Sequence, residues 1–339
     1  MLNILSLYKL LYIEKGFSFI RCPIFHANNQ KANRRLSTMD YEETLMIKTT
    51  WCYYIENMTQ QAIAEQLGIS RMRVIKLLEK ARIKKVIQFK IRSDAAHRME
   101  LEKQLLDRYG LKDIYIVPSV SENINETVAR AAALYIGDHV QNKAFINIGF
   151  GDTTSRTLNN LILASDSEIS LVSLTGGVSY YTSSANCGVA SATRYIIPAP
   201  FIASTAEMAS AICEESSVSE ILRLANLASL TVVGIGGVTE HATVVKDGKL
   251  TANDLLIMQM KGAVGDILGH FIDKNGDPID CPIHNRLIST PLEALKTFPN
   301  VVGVAGGLEK THAINAALKS GCLDVLITDE ETAESLLTL

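Results

Sequence analysis

Apolar residues recur at near-helical spacing in the first patterned stretch of the chain. In "DYEETLMIKTTWCYYIENM", Leu45, Ile47, Trp51, Tyr54 and Ile55 fall close to the 3.6-residue repeat of an amphipathic helix. A second helix is predicted from Thr59 or Gln60, with Ile63, Ala64 and Leu67 on its inner face and the Thr59 hydroxyl placed to cap it. Gly68 suits the left-handed residue that ends a helix. Ile69 then fills the angle, and Ser70 caps a third helix whose inner face is Val74, Leu77 and Leu78. Helix, glycine turn and helix make a helix-turn-helix, whose second member normally lies in the DNA major groove. A short strand is expected at 86–91, "VIQFKI", and a polar linker helix at 93–110 with Met99, Leu101, Leu105 and Leu106 as apolar contacts.

Beyond residue 110 the pattern changes. Short, fully apolar runs alternate with helical ones: "IYIVP" (114–118), "AFINIGF" (144–150), "ISLVSLTGG" (169–177), "YIIPAP" (195–200), "LTVVGIGG" (230–237), "VVGVAGG" (301–307) and "LDVLITD" (323–329). Strands without polar alternation are buried on both faces, which predicts an α/β fold with a doubly wound, mostly parallel sheet. The expected organisation is an extension at 1–38, a helix-turn-helix domain at 39–92, the linker helix, and a larger domain at 111–339.

Charge sharpens this division. Residues 1–92 carry 16 Lys and Arg against 7 Asp and Glu, a net of +9, while the remainder carries −12. The N-terminal part is therefore expected to face a polyanion, and the acidic body is not. Between 59 and 92 the local balance is +7, and Ser70, Arg71, Arg73 and Lys76 sit in the N-terminal half of the recognition helix. Arginine there can fork onto a guanine edge and lysine can neutralise phosphate. An ordinary helical hairpin with a solvated basic face is the alternative. Six scattered cysteines fit reduced thiols in a cytoplasmic protein better than a disulfide framework. No apolar run reaches the roughly 18 residues of a membrane span. "LNILSLYKLLYI" lacks the basic start and cleavage site of a secretory signal, so 1–38 reads as an extension such as an over-early start codon would give.

The candidate chemistry lies where strands end in glycine. "NIGFGDTTSRTL" sets Gly149, Gly151, Asp152, Thr153 and Thr154 between a strand and a helix, where free N–H groups make an anion site. "SLTGGV" offers Thr175, Gly176 and Gly177, and "GVAGGLEKTHAI" brings Gly306, Gly307 and Lys310. Each could be only a turn, but together they favour a small phosphorylated ligand. Asp266, in "KGAVGDILGHF", can accept hydrogen bonds from sugar hydroxyls or cap a turn, and His270 is assigned to packing. Cys281 and His284 form a C-x-x-H pair with no second pair to complete a metal site, so neither metal nor cofactor is expected.

These motifs in this order, with "LGISRMRVIKLLEKA", "IIPAP", "IHN" at 283–285 and "PLEALK", resemble the SorC family of sugar-binding transcriptional regulators along residues 40–339. The resemblance implies a winged-type helix-turn-helix and an effector domain similar in fold to sugar-phosphate isomerases and glucosamine-6-phosphate deaminase. It implies a homodimer or homotetramer on double-stranded operator DNA, released by a phosphorylated sugar-like effector such as phospho-autoinducer-2. DNA-contact candidates are Thr59, Gln60, Ser70, Arg71, Arg73 and Lys76. Effector candidates are Gly151, Thr153, Thr154, Thr175, Gly176, Gly177, Asp266, Leu268 and Lys310. Tyr53 and Tyr54 match a tyrosine pair of the family, with core packing as their simpler role. Ile75 and Lys76 depart from a small polar residue and an arginine in the recognition helix, and His270 replaces an aromatic residue. The competing expectation is a phosphosugar isomerase or deaminase with a DNA module, using Asp266, His270 and Lys310 as acid–base groups. An activator is the third.

Overall fold

The computed structural model of the chain describes residues 41–87, 92–120, 122–164, 168–182, 193–240 and 242–339. The extension expected at 1–38 and most of the strand expected at 86–91 lie outside them. The chain divides into two compact units, Met1–Lys90 and Ile91–Leu339.

The first unit is described as three helices: α1 (Tyr41–Tyr54), α2 (Gln60–Leu67) and α3 (Arg71–Ile83). Thr59 caps α2 by accepting the Ala62 N–H at 3.2 Å, and Ser70 caps α3 by accepting the Arg73 N–H at 3.2 Å. Gly68, at φ 64°, turns the chain between them, and the Ile69 N–H reaches back to the Ala64 carbonyl at 3.0 Å. The core under this turn is Cys52, Ile63, Ala64, Val74 and Leu78, with Ile69 packed against it.

Helix α1 corrects the expected face. Its buried residues are Leu45, Met46, Thr49, Thr50 and Cys52, while Ile47, Trp51 and Ile55 are exposed. Thr49 and Thr50 tolerate burial because each hydroxyl donates to the carbonyl four residues back, at 2.7 Å.

The second unit is built on a seven-stranded sheet: β1 (Asp113–Val117), β2 (Phe145–Ile148), β3 (Ser170–Ser173), β4 (Thr193–Tyr195), β5 (Leu230–Gly234), β9 (Val301–Val304) and β10 (Val325–Asp329). Six of the seven runs expected as strands form them, while the run expected at 195–200 gives only Tyr195 to β4, which begins earlier at Thr193. Their spatial order is β1-β10-β9-β5-β2-β3-β4, and every pairing is parallel. Successive residues of one strand enter different cores, as the two-residue period requires. Val232, Val325 and Ile327 join α5 (Ile124–His139) and α6 (Asp152–Ala164) on one face. Val233 and Leu326 join α4 (Ser93–Tyr109), α10 (Thr311–Lys319) and α11 (Glu330–Thr338) on the other. Helix α4, read from the sequence as a linker, buries Leu101 and Leu105 in this second core. Two further helices, α7 (Ala206–Glu214) and α8 (Ser216–Leu224), precede β5, and α9 (Ala252–Met260) follows it.

A small antiparallel sheet, absent from the sequence reading, joins β6 (Gly236–Gly237), β7 (Gly265–Ile267) and β8 (His270–Ile272). Ile267 pairs with His270 across a two-residue turn, Leu268–Gly269, both at positive φ (55° and 84°). That turn follows the twist of the hairpin.

Candidate effector cleft and nucleic-acid interface

Strand order decides where a ligand can enter. From β2 the sheet continues through β3 to β4 at one edge, and from β5 it continues through β9 and β10 to β1 at the other. The chain leaving β2 and the chain leaving β5 therefore diverge, and open α/β sheets bind ligands in the crevice this leaves at the strand ends. A cleft of about 990 Å³ occupies that position. Its lining includes Gly151, Asp152 and Thr153 after β2, Gly234 to Gly237 after β5, and Glu309 and Lys310 after β9.

The first wall is the start of α6. Helix geometry leaves the N–H groups of Asp152, Thr153 and Thr154 without intrahelical partners. The first bond to close is Ser155 N–H onto the Gly151 carbonyl at 3.0 Å. Thr154 is fully buried and spends its hydroxyl on the Gly151 carbonyl at 2.9 Å, which fixes the turn. Arg156 closes the outer end of this wall through both oxygens of Asp152 and one of Glu126.

The opposite wall comes from the small sheet. Asp266 of β7 stands across from Gly236 of β6 and is 5% exposed. Its carboxylate accepts the Gly269 N–H at 3.0 Å, so it caps the Leu268–Gly269 turn and lines the cleft at once. The two roles that stayed open in the sequence are combined in one residue. Burial pushes its pKa up to about 6, against the pull of the Gly269 N–H and the Lys310 charge. Burial pushes Lys310 the other way, below the ordinary lysine range, while Glu309, Asp152 and Asp266 favour its charged form. Each charge is thus costly alone and supported by the other. Leu268 supplies the apolar floor; a leucine in left-handed conformation carries strain that the surrounding packing must hold.

Among the expected effector residues, the structure brings Gly151, Thr153, Asp266, Leu268 and Lys310 to this cleft. It does not bring Thr154, Thr175, Gly176 or Gly177 to its lining. The Gly176 and Gly177 N–H groups are committed to the carbonyls of Ile288 and Ala199, both at 2.8 Å. Thr175, fully buried, shares a 2.7 Å hydrogen bond with the Tyr181 hydroxyl. These N–H groups fasten the turn to the chain at Ala199 and Ile288 and are not free for an anion. Sequence reasoning missed Lys246 and Lys249, which line the cleft from a short helical turn and the loop after it. The signal was a lysine pair astride Asp247–Gly248, which reads as a solvated turn.

His270 and His284 are packing groups. His270 meets the Thr290 carbonyl at 3.1 Å, and burial pulls its pKa down to about 4. His284 accepts the Phe271 N–H through Nε2 at 2.8 Å.

In the first unit, Ser70, Arg71, Arg73 and Lys76 are exposed on α3 while Val74, Leu77 and Leu78 face inward. Thr59, Gln60 and Arg71 line one groove together with Tyr53 and Tyr54. Tyr54 does more than pack: its hydroxyl accepts from Arg82 Nε at 3.1 Å and Nη2 at 2.9 Å, tying α1 to α3. No described helix is long and apolar enough to cross a membrane.

Residues 93–338 match the family model of a sugar-binding domain, Sugar-bind, and residues 36–84 match that of sigma-70 region 4. The chain is 37% identical over 303 residues to the transcriptional regulator LsrR of Enterobacter sp. (strain 638), covering 88% of this chain and 94% of that one. It is 38% identical over 301 residues to LsrR of Escherichia coli (strain SMS-3-5 / SECEC), covering 87% and 95%. Among solved structures, the sugar-binding domain of a transcriptional repressor from Vibrio fischeri is 27% identical, with a TM-score of 0.62 over 71% of this chain and 98% of that one. The full-length sorbitol operon regulator SorC of Klebsiella pneumoniae shares the fold, with a TM-score of 0.63 at 24% identity over 87% and 98%.

Proposed function

The chain belongs to the SorC family of sugar-binding transcriptional regulators, and on that premise we propose that it is a repressor released from its operator by a phosphorylated sugar-like effector. It is a regulator, as its relatives are, and not an isomerase. The observation that carries the finer reading is the meeting, in one switch-point cleft, of the α6 start, lined by Asp152 and Thr153, with half-buried Lys310 and buried Asp266. A phosphate would take the helix N-terminus and the Lys310 ammonium. Asp266 would accept from the hydroxyls of the sugar-like part, and Leu268 would pack beneath it. Phospho-autoinducer-2 has this combination of groups, and the likeness to LsrR makes it the first compound to try.

On DNA, Arg71, Arg73 and Lys76 would reach bases and phosphates, and Ser70, Thr59 and Gln60 the backbone. Two such units in a homodimer or homotetramer would occupy half-sites one duplex turn, or a multiple, apart. A protein so engaged works in the cytoplasm. The effector acts only if it prefers the arrangement that binds DNA poorly. The test is a fluorescence-anisotropy titration of promoter fragments, with and without phospho-autoinducer-2 and a panel of sugar phosphates. Release by a phosphorylated compound, and not by its dephosphorylated form, is the expected result. Equal release by both, or by none of the panel, would overturn the reading.

A further inference from the structure

The cleft does not use Asp329, yet this carboxylate is 1% exposed and fully engaged. It ends β10 and caps α11. Oδ1 accepts the Ser119 hydroxyl at 3.2 Å and the Thr332 N–H at 3.1 Å. Oδ2 accepts the Gly307 N–H at 2.8 Å and the Thr332 hydroxyl at 2.6 Å. Gly307 is also bonded to the Thr332 hydroxyl, at 2.9 Å. Three segments therefore converge on one side chain: the chain after β1, the loop that presents Lys310, and the first turn of α11.

Both helices that border this loop lead to α4. Helix α10 begins immediately after Lys310, and its Asn315 accepts the Tyr109 hydroxyl of α4 at 2.8 Å. Helix α11 begins at Asp329. Along it, Glu330 meets Arg98 at 3.4 Å and Glu334 meets His97 at 2.8 Å. Arg108 donates to the carbonyls of Leu336 and Leu337 at 3.1 and 3.0 Å. Helix α4 is where the chain of the second unit starts, directly after the helix-turn-helix unit.

We propose that Asp329 is a positioning residue that couples the Lys310 loop to α4, so that a change at the effector cleft is felt where the chain leaves for the DNA-binding unit. The proposal rests on the regulatory reading above. A ligand that draws Lys310 into the cleft pulls on residues 307–310. Gly307 cannot move without disturbing the Asp329–Thr332 bonds that fix the start of α11. Helix α11 carries the displacement to Arg98 and Arg108, and α10 carries it to Tyr109.

The chemistry of the carboxylate supplies the test. All its bonding directions accept, and two of its partners are backbone N–H groups on different oxygens. In Asp329→Asn, the amide nitrogen must face one of those N–H groups whichever way it is turned. Hydrogen–deuterium exchange of the full-length protein, without ligand, should then show amides 305–310 and 93–109 both exchanging about tenfold faster, the scale of one unpaired buried donor. Tyr109→Phe, which leaves the carboxylate and the cleft untouched, should speed exchange at 305–310 in return. Acceleration of Asp329→Asn confined to 305–310 and 329–333, or no response of 305–310 in Tyr109→Phe, would overturn the proposal. Because no effector is present, failure here is distinct from failure of the effector reading, which shows only in the operator titration.

Discussion

The Asp266 carboxylate occupies the space that a side chain on Gly236 would need. The two residues face each other across the β6–β7 pair, and a β-carbon at 236 would run into Asp266 Oδ1. Gly236→Ala should therefore push Asp266 off the Gly269 N–H, destabilise the protein by about 1–3 kcal/mol, and abolish the effector response. The double variant Gly236→Ala/Asp266→Ala removes the obstructing oxygen. It should regain part of the lost stability but none of the response, a non-additivity expected of touching residues. Thermal melts of the four proteins of the cycle check this, and strictly additive losses would contradict it.

Asp266 itself should cost stability when the cleft is empty. Its pKa is raised from 3.8 to about 6. Between those values the unfolded chain releases a proton that the native protein keeps, so native stability falls as pH rises through the window and stays lower above it. Asp266→Asn retains an acceptor for the Gly269 N–H and has no proton to release. The variant should be more stable than the wild type at pH 7 by up to about 3 kcal/mol, with the advantage fading below pH 4. Its effector response should be lost. Denaturation at the two pH values decides, and equal stabilities at pH 7 would refute the cost.

The main sheet was legible because parallel strands buried on both faces are written as largely apolar runs, such as Val301–Val304 and the Val325, Leu326 and Ile327 that open β10. The small sheet was not. Its first strand is two glycines, and its turn uses Leu268 where a hairpin signal would be asparagine. The inner face of α1 was hidden for a similar reason, since Thr49 and Thr50 satisfy their hydroxyls locally and can be buried like apolar residues. At the site, Gly151, Thr153 and Lys310 could be placed from their neighbours in sequence. The fate of the Gly176 and Gly177 N–H groups depended on Ile288 and Ala199, distant in the chain, so no local pattern distinguished a fastening turn from an anion loop.

Lys310 offers a separation of the two activities. It is the cleft cation that burial holds below the ordinary lysine range, and its charged form is favoured by Asp266, Asp152 and Glu309. An anionic ligand adds a further opposite charge, so binding should push its pKa back up. Lys310→Ala should weaken the effector response about tenfold to a hundredfold, the scale of one charge-assisted hydrogen bond, and leave ligand-free operator affinity nearly unchanged. Operator titrations at increasing effector concentration check both statements. Release of the variant at the wild-type concentration would remove Lys310 from the site.

Arg73 and Lys76 should differ in kind on DNA. Both are exposed on α3, one near its capped start and one a turn later. The Arg73 backbone N–H is held by the Ser70 cap, so its side chain leaves the helix at a fixed point. A guanidinium presented in this way can read a base edge, and Arg73→Ala should cost about 1–3 kcal/mol of operator affinity and relax specificity at one base pair. A lysine a turn further along suits a phosphate, whose contact is independent of sequence. Lys76→Ala should weaken specific and non-specific binding alike and lower the salt dependence by about one ion equivalent. Binding isotherms at several salt concentrations, on operator and scrambled duplexes, separate the two roles. Equal behaviour of both variants on both duplexes would mean that α3 does not lie in the groove as proposed.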